Sequence, residues 1–368
     1  MPKAKTDQPH RRFPCTACGG DMRWTPQVGA MVCAHCGAQS SVEMPDQGPW
    51  DVTAIREQDY RAALRASRET AQEVETRVST CPNCAARVEV SDTDHVLECP
   101  FCATPVVVGS GAHRQIKPQA VLPFTLTERE AHRAMENWLK GLWFAPNGLK
   151  KYASASRQME RIYTPYWTYD AKTASQYRGQ RGTDHTTSVS DGKGDRRSST
   201  TTTWRRVTGQ VRLAFDDLLV LASESLPKRF TDTLAPWDLT ALAPYQPEFL
   251  SGFRAEAYSI DLETGMEEAR ARMDQAIRAA IRRDIGGDHQ RIDHVDTEIW
   301  DVTFKHILLP VWVSAYRYGG KSYRFVVNGQ TGKVMGERPY SAIKIAIALI
   351  LAALLALGLA YVYDGYIR

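Results

Sequence analysis

Eight cysteines are the residues of this chain whose type and spacing can do chemistry, and all of them fall within the first 102 residues. They form four Cys-x2-Cys pairs. The pairs combine into two sets, and in each set fourteen residues separate the two pairs. The first set is Cys15, Cys18, Cys33 and Cys36, and the second is Cys81, Cys84, Cys99 and Cys102.

This repeated spacing predicts two metal centres. Each pair can turn two thiolates toward one ion, and two pairs on facing hairpins complete a tetrahedral shell of four sulfurs. Such a shell is typical of structural zinc, with iron as the alternative occupant, and it has no open position for a substrate. A redox role is the competing interpretation, but it does not explain four pairs at matched spacing. We therefore expect two structural Zn²⁺ ions, with His35 and His95 as ordinary hairpin residues.

Motifs of catalysis are absent from the sequence. It has no G-x-x-x-x-G-K-[ST] phosphate loop, no G-x-G-x-x-G after a strand, no G-x-S-x-G elbow and no H-E-x-x-H pair. Asp288-His289 and Asp293-His294, in a predicted loop, are the nearest approach to a ligand cluster. Asp216 and Asp217 are neighbours on a predicted strand, so we expect them to face opposite sides. The sequence therefore predicts no enzyme and no catalytic residue.

The last long stretch of the chain is apolar. Residues 345–363 read IAIALILAALLALGLAYVY, and as a helix these nineteen residues span about 28 Å, close to the bilayer core of about 30 Å. A buried core helix is the alternative. We expect a single transmembrane helix at 343–363. Small residues recur every fourth position along one face, a pattern that favours close association of helices. They are Ala348, Ala352, Ala356 and Ala360.

Charges on either side of the apolar stretch predict its orientation. Five basic residues precede it, whereas one acidic and one basic residue follow it, so the positive-inside rule places the N-terminal bulk in the cytoplasm. The preceding residues are Lys321, Arg324, Lys333, Arg338 and Lys344, and the following ones are Asp364 and Arg368. The polar, basic N-terminus has no signal-peptide pattern. The formal net charge of +4 does not distinguish a lipid partner from a nucleic-acid partner.

Between the cysteines and the apolar stretch the patterns are mixed. The charged segment 52–77, which is free of Gly and Pro, predicts a helical spacer at 45–78. One helix is predicted after the capping box of Thr127 and Glu130. A second is predicted over 266–285, with Thr264 and Glu267 at its start. Strands are predicted around 162–179, 204–223, 299–313, 322–327 and 331–336. The low-complexity segment 182–203 is expected to be a long hairpin tip or a disordered loop, and residues 162–167 echo residues 307–312.

Taken together, these patterns predict an α+β protein built from five parts. They are a zinc ribbon at 11–44, the spacer at 45–78, a second zinc ribbon at 79–108, an α+β domain at 119–338 with an internal duplication suggested by the echo, and the membrane helix at 343–363. The segment 182–203 is a flexible insert in this scheme.

The two cysteine modules resemble the zinc ribbon of transcription factor IIB-type proteins. Together with the VLPF, PYW, LPVW and VNGQTGKV segments and the terminal span, they make the chain similar to bacterial membrane-anchored zinc-ribbon proteins. That resemblance implies a platform at the cytoplasmic membrane, with flotillin-like and phage-shock-protein-A-like partners in envelope stress. The cysteine motifs also resemble those of primosomal protein N′ (replication factor Y), a superfamily II helicase, but the nucleotide-binding motifs of a helicase are missing.

The sequence therefore favours a tail-anchored, zinc-binding adaptor of a bacterial inner membrane. A membrane-tethered nucleic-acid-binding protein of replication type is the alternative, and salt-dependent DNA binding would distinguish it.

Overall fold

The computed structural model describes residues 13–25, 28–42, 55–69, 73–81, 86–89, 96–99, 101, 105–107, 112–146, 149, 159–190, 196–318 and 321–367. Over these ranges helices and strands are mixed along the chain, and the described strands form one large sheet of nine strands and three small sheets. The expected α+β class is confirmed.

Five helices are described: α1 (Tyr60–Glu69), α2 (Glu128–Lys140), α3 (Lys228–Leu234), α4 (Leu262–Ile285) and α5 (Ala342–Ile367). Helix α2 begins with the predicted capping box. Thr127 Oγ1 accepts from the Glu130 N–H at 3.1 Å, and Glu130 Oε2 accepts from the Thr127 N–H at 2.8 Å. Helix α4 begins a turn earlier than predicted, because the Asp261 carboxylate accepts from the Thr264 N–H at 2.7 Å. The capping box predicted at Thr264 was therefore wrong, since Asp261 takes that position.

The described strands are β1 (Met22–Thr25), β2 (Ala30–Cys33), β3 (Gln39–Ser40), β4 (Gln58–Asp59), β5 (Glu73–Thr80), β6 (Arg87–Glu89), β7 (Val96–Glu98), β8 (Pro105–Val107), β9 (Ala112–Ile116), β10 (Ala120–Val121), β11 (Glu160–Ser190), β12 (Arg196–Leu221), β13 (Ala243–Pro244), β14 (Arg254–Ala255), β15 (His289–Tyr318), β16 (Lys321–Asn328) and β17 (Val334–Gly336). Three of them, β11, β12 and β15, have 31, 26 and 30 residues. At about 3.3 Å per residue, a strand of this length extends about 100 Å.

The long strand β11 is the centre of the large sheet. It pairs antiparallel with β12 on one side and β15 on the other, and the order continues from β15 to β10 and β13. At one end the three long strands are part of this wide sheet. At the other end β11, β12 and β15 extend beyond it and form a three-stranded arm. Helix α4 covers one face of the arm with the apolar stripe that the sequence predicted. The buried stripe residues are Met266, Ala269, Met273, Ile277, Ile281 and Ile285.

The segment 182–203 forms the end of this arm. Its residues pair across β11 and β12 from Gly182 opposite Trp204 to Ser190 opposite Arg196, and residues 191–195 lie outside the described part. Of the two expectations, the hairpin is therefore the one observed over 182–190 and 196–203. Threonines on both strands explain the pairing, because β-branched residues favour extended backbone even without an apolar face.

The spacer is helical over a shorter length than expected. Helix α1 ends at Glu69, and the chain enters β5 at Glu73, where Val74, Thr76 and Val78 alternate with polar residues in the sequence. That period of two is typical of a strand. Strand β5 then pairs with β6 and β9, so the end of the spacer is part of the second cysteine module rather than a link to it.

The two echoed stretches lie side by side. Residues 162–167 and 307–312 pair antiparallel, with Tyr163 opposite Pro310. Each stretch has a proline where the outer edge of its strand changes partner: at Pro165, β11 passes from β14 to β12, and at Pro310, β15 passes from β10 to β16. A proline has no N–H for a ladder and is tolerated where the ladder is interrupted. This shared arrangement supports the internal duplication, which stays a prediction.

Helix α5 is long and apolar enough to cross a membrane. Its most apolar part, Ala342–Ala360, has a mean hydropathy of 2.6, and none of that window is buried against the described protein. A core helix of a soluble protein passes the same test of length and composition but is mostly buried.

Candidate metal centre

The first four cysteines lie in two tight turns of one small sheet. Strands β1 and β2 pair antiparallel, and β3 pairs with β2 beyond the second turn. In each turn the N–H of the first cysteine donates to the carbonyl five residues on, from Cys15 to Gly20 at 2.7 Å and from Cys33 to Ala38 at 2.8 Å. Each turn also needs a glycine at positive φ, which side chains rarely permit. These glycines are Gly19, at 73°, and Gly37, at 75°.

The turns bring the four sulfurs together. The Sγ atoms of Cys15, Cys18, Cys33 and Cys36 all lie within 4.8 Å of one another. Between the turns, Cys15 and Cys36 are 3.6 Å apart at sulfur, and Cys18 and Cys33 are 3.5 Å apart. Zinc–sulfur bonds of about 2.3 Å in a tetrahedron place the sulfurs about 3.8 Å from each other. The group is therefore of the right kind and size for a Zn²⁺ ion, and the exposed His35 is not part of it.

The thiols of Cys33 and Cys18 differ in pKa. The N–H groups of Cys36 and His35 donate to the Cys33 sulfur and lower its pKa to about 6. The Gly20 N–H likewise lowers the pKa of Cys18, but the neighbouring sulfurs of Cys36 and Cys33 outweigh it and raise that pKa to about 12. Once one thiol has ionised, its crowded neighbours hold their protons. A divalent cation removes this conflict, because it attracts all four thiolates at once.

The group has a buried base and exposed tips. Cys15 and Cys33 are 4% and 2% exposed and belong to the largest core cluster, whereas Cys18 and Cys36 are exposed. The intervening turn residues, Thr16, Ala17, Ala34 and His35, are also exposed. An ion in the group would therefore be anchored from below by the core, with its turns facing outward.

The first module is docked on the α+β domain. The ring of Trp24 lies edge-on against Phe249, with centroids 4.8 Å apart. Ser251 completes the contact, because its Oγ donates to the Met22 carbonyl at 2.8 Å and its carbonyl accepts from the Trp24 N–H at 3.3 Å. The apolar strand residues of this module are therefore buried against the domain, a contact that the sequence did not predict.

The second set is described in part. Cys81 and Cys99 are 2% and 1% exposed, and they pack in a core cluster with Phe101 and Phe230. The Cys81 N–H donates to the Ala86 carbonyl at 2.8 Å, the same five-residue bond as in the first module. Its partners in the predicted ligand set, Cys84 and Cys102, and also His95, lie outside the described residues. The second zinc site therefore stays a prediction.

Another group of ligand-type side chains lies on the central sheet. Carboxylate oxygens of Glu57, Asp170 and Asp216 lie within 4.8 Å of one another. The side chain of Lys305, only 8% exposed, points into this group, with Nζ 2.7 Å from Asp217 and 3.2 Å from Glu57. Burial lowers the pKa of Lys305, but the Asp217 carboxylate outweighs it and the pKa is raised overall. Because the lysine already supplies a buried cation, we assign no metal here.

This group corrects the prediction for Asp216 and Asp217, which were expected to face opposite sides. Strand β12 is bulged here, since Asp216 and Asp217 lie opposite the single residue Asp170 of β11, and Asp217 has a φ of 49°. The irregular backbone lets both neighbouring carboxylates reach one cluster. Burial raises the pKa of Asp170 to about 6. Two adjacent aspartates inside a predicted strand were the available signal, because Asp tolerates the left-handed region better than most residues.

Asp293 and His294 lie on β15 rather than in a loop, and His289 is the first residue of that strand, with Asp288 just before it. His289 Nε2 is 3.0 Å from Asp184 Oδ2 across the arm, and the Asp288 carboxylate accepts from the Asp184 N–H at 2.9 Å. Within the described residues these pairs form no group that could hold a metal.

The fold and the site define an α+β protein with a four-cysteine group suited to a metal and an apolar terminal helix. An uncharacterized protein, YdjG, of Bacillus subtilis (strain 168) is 27% identical to the chain over 338 residues, which cover 91% of this chain and 92% of the relative. No protein-family model and no solved structure matches the chain. Neither the transcription factor IIB-type nor the primosomal resemblance is therefore supported by a family match.

Proposed function

We propose that this protein is a membrane-anchored, zinc-binding adaptor that presents its first zinc ribbon to protein partners. The observation that carries the proposal is the four-cysteine group with its buried base and exposed turns. A closed shell of four sulfurs offers no position for a substrate, so its use is structural and the turns are free to contact a partner. Absence of catalytic motifs from the sequence agrees with a binding role.

The anchor in this proposal is α5, with the bulk of the chain in the cytoplasm of a bacterium. The exposed apolar surface of the helix and the excess of basic residues before it support this placement. YdjG, the similar protein named above, is also bacterial. Reduced thiols, which metal binding requires, agree with the cytosolic side of the membrane.

Flotillin-like and phage-shock-protein-A-like proteins, in an envelope-stress platform, are the partners that we propose on the family resemblance. The test is a pull-down of the full-length chain from membranes solubilised in mild detergent, with mass spectrometry of what is retained. Ala17→Glu and His35→Glu alter the exposed turns, and Gln39→Glu, exposed on β3 of the same module, is the matched control. We expect both turn variants to keep zinc and lose a partner that Gln39→Glu retains.

An identical partner set for all three variants would contradict recognition by the turns. The alternative, a membrane-tethered nucleic-acid-binding protein, predicts instead that the full-length chain in detergent binds DNA with an affinity that falls steeply as salt rises. We expect no such binding.

A further inference from the structure

The loop that follows α2 exposes two aromatic side chains on a fixed backbone. Leu142 and Ala145 are 7% and 6% exposed and belong to the core, whereas Trp143 between them is 79% exposed and Phe144 38%. Trp143 is the most exposed large apolar side chain among the described residues. A flexible loop would let such a side chain fold back, but the buried neighbours on both sides prevent that here.

The same loop is attached to the start of α5. The Ser341 N–H donates to the Phe144 carbonyl at 2.8 Å. Lys344, in the first turn of the helix, donates from Nζ to the Ala145 carbonyl at 2.8 Å and to the Trp143 carbonyl at 3.2 Å. The exposed aromatic pair therefore lies next to the point where the apolar helix leaves the folded domain.

The surroundings of this point are amphipathic. Tyr340 and Ile343 are 59% and 74% exposed. The Arg338 guanidinium lies 5.3 Å from the centroid of the Tyr340 ring, and Lys140 at the end of α2 is exposed. Tryptophan and tyrosine with nearby cations are the residues that prefer the boundary between lipid head groups and acyl chains. The surface is continuous with the apolar helix α5, and this continuity favours a lipid bilayer over a protein as its partner.

We infer that the loop of residues 141–145 is a second membrane contact, in which Trp143 and Phe144 insert into the head-group boundary beside α5. The inference rests on the proposed anchoring by α5 and extends it: the domain is held against the bilayer at two adjacent points rather than hanging from one. The occupant of the surface is a lipid bilayer with anionic head groups, which the nearby Arg338 and Lys140 attract.

Tryptophan fluorescence tests this contact, because residues 342–368 contain no tryptophan and any quenching from the bilayer must come from the part of the chain before α5. The full-length chain is reconstituted in liposomes of phosphatidylglycerol and phosphatidylcholine, with or without bromine on the phosphatidylcholine acyl chains near the ester bond. We expect brominated lipid to quench the wild-type protein, and Trp143→Phe to lose roughly half or more of that quenching. Trp300→Phe, 39% exposed on the arm, is the matched control and should be quenched like the wild type.

Equal quenching of Trp143→Phe and the wild type, or no quenching of a wild-type protein that floats with its liposomes, would overturn the second contact while leaving the anchor intact. Failure of the chain to float with the liposomes after a carbonate wash would overturn the anchor and, with it, the inference.

Discussion

At the residue scale, Cys33 serves two purposes at once. Its sulfur belongs to the four-cysteine group, and its side chain, 2% exposed, is part of the core that joins the module to the domain. Metal binding by such a group is coupled to folding, because the neighbours of an ionised thiol shed their protons only when a cation compensates the charge. Loss of the ion should therefore lower the stability of the protein as well as its metal content.

Cys33→Ser is expected to lose the ion of the first set and keep that of the second, so zinc per chain falls from two to one. The melting temperature should fall as well, since metal binding supplies folding energy to a module too small to fold alone. Elemental analysis and thermal unfolding of the full-length protein check both. His35→Ala is the control and should keep both ions, and a zinc loss there equal to that of Cys33→Ser would show that the ligand set is misassigned.

The buried carboxyl group of Glu256 should make the stability of the protein depend on pH. It is 2% exposed, Ser223 Oγ donates to its Oε1, and its Oε2 has no hydrogen-bond partner in the described part of the chain. Burial raises its pKa to about 8 from the ordinary value of 4.5 for a glutamate. The fold therefore favours the protonated acid, so its contribution to stability is complete below pH 4.5 and is lost as pH rises toward 8.

Glu256→Gln keeps the shape without the charge, so its stability relative to the wild type should increase as pH rises from about 5 to about 8, by at most about 1.4 kcal/mol per pH unit. Unfolding curves of both proteins across this range measure the difference. Glu224→Gln, an exposed neighbour, should show no such trend. A difference between Glu256→Gln and the wild type that is constant with pH would mean that Glu256 is not held protonated.

At the scale of elements, local sequence patterns predicted the helices better than the long strands. The capping box of Thr127 and the stripe of α4 depend on neighbours within a turn or two, which the sequence displays directly. The arm depends on pairing between strands. Its polar end at 182–203 has no apolar face, so nothing local distinguishes it from a loop. The bulge at Asp216 and Asp217 cannot be predicted from local sequence either, because three strands set the register there.

Gly265→Ala tests how closely α4 packs on the arm. A Cβ at this position would lie 2.6 Å from the hydroxyl oxygen of Tyr169 and 2.8 Å from a ring carbon of Trp167, both of which are fully buried. The overpacking should cost about 1–3 kcal/mol and outweigh the gain of about 1 kcal/mol in helix propensity. Gln275→Ala, exposed on the same helix, should be nearly neutral. A thermal unfolding assay in which Gly265→Ala proved the more stable variant would refute this packing.

At the scale of the whole molecule, the cysteine modules belong to the folded body. Their ligand spacing could be predicted from the sequence because each Cys-x2-Cys pair spans four residues. The four sulfurs of the first set lie together as predicted. Their docking was not readable, because Trp24 meets Phe249 across more than two hundred residues of chain. Partner recognition is therefore expected at the exposed turns.

Assembly in the membrane is a separate prediction of the terminal helix. Changing Ala352 and Ala356 to Leu should weaken self- or hetero-association about tenfold, since close helix contacts are worth about 1–2 kcal/mol. A membrane two-hybrid assay measures this. The control pair, Ala346 and Ala353 changed to Leu, lies on a different face and should associate like the wild type. Unchanged association of the Ala352 and Ala356 variant would remove that face from any interface.

The central claim, a membrane anchor joined to thiolate-held zinc, is tested most directly by one measurement: the zinc content per chain of the full-length protein recovered from carbonate-washed membranes. We predict that the protein is in the membrane pellet and that it carries two zinc ions for its eight cysteines. Recovery of the protein in the soluble extract, or of a membrane-bound chain without zinc, would contradict the account.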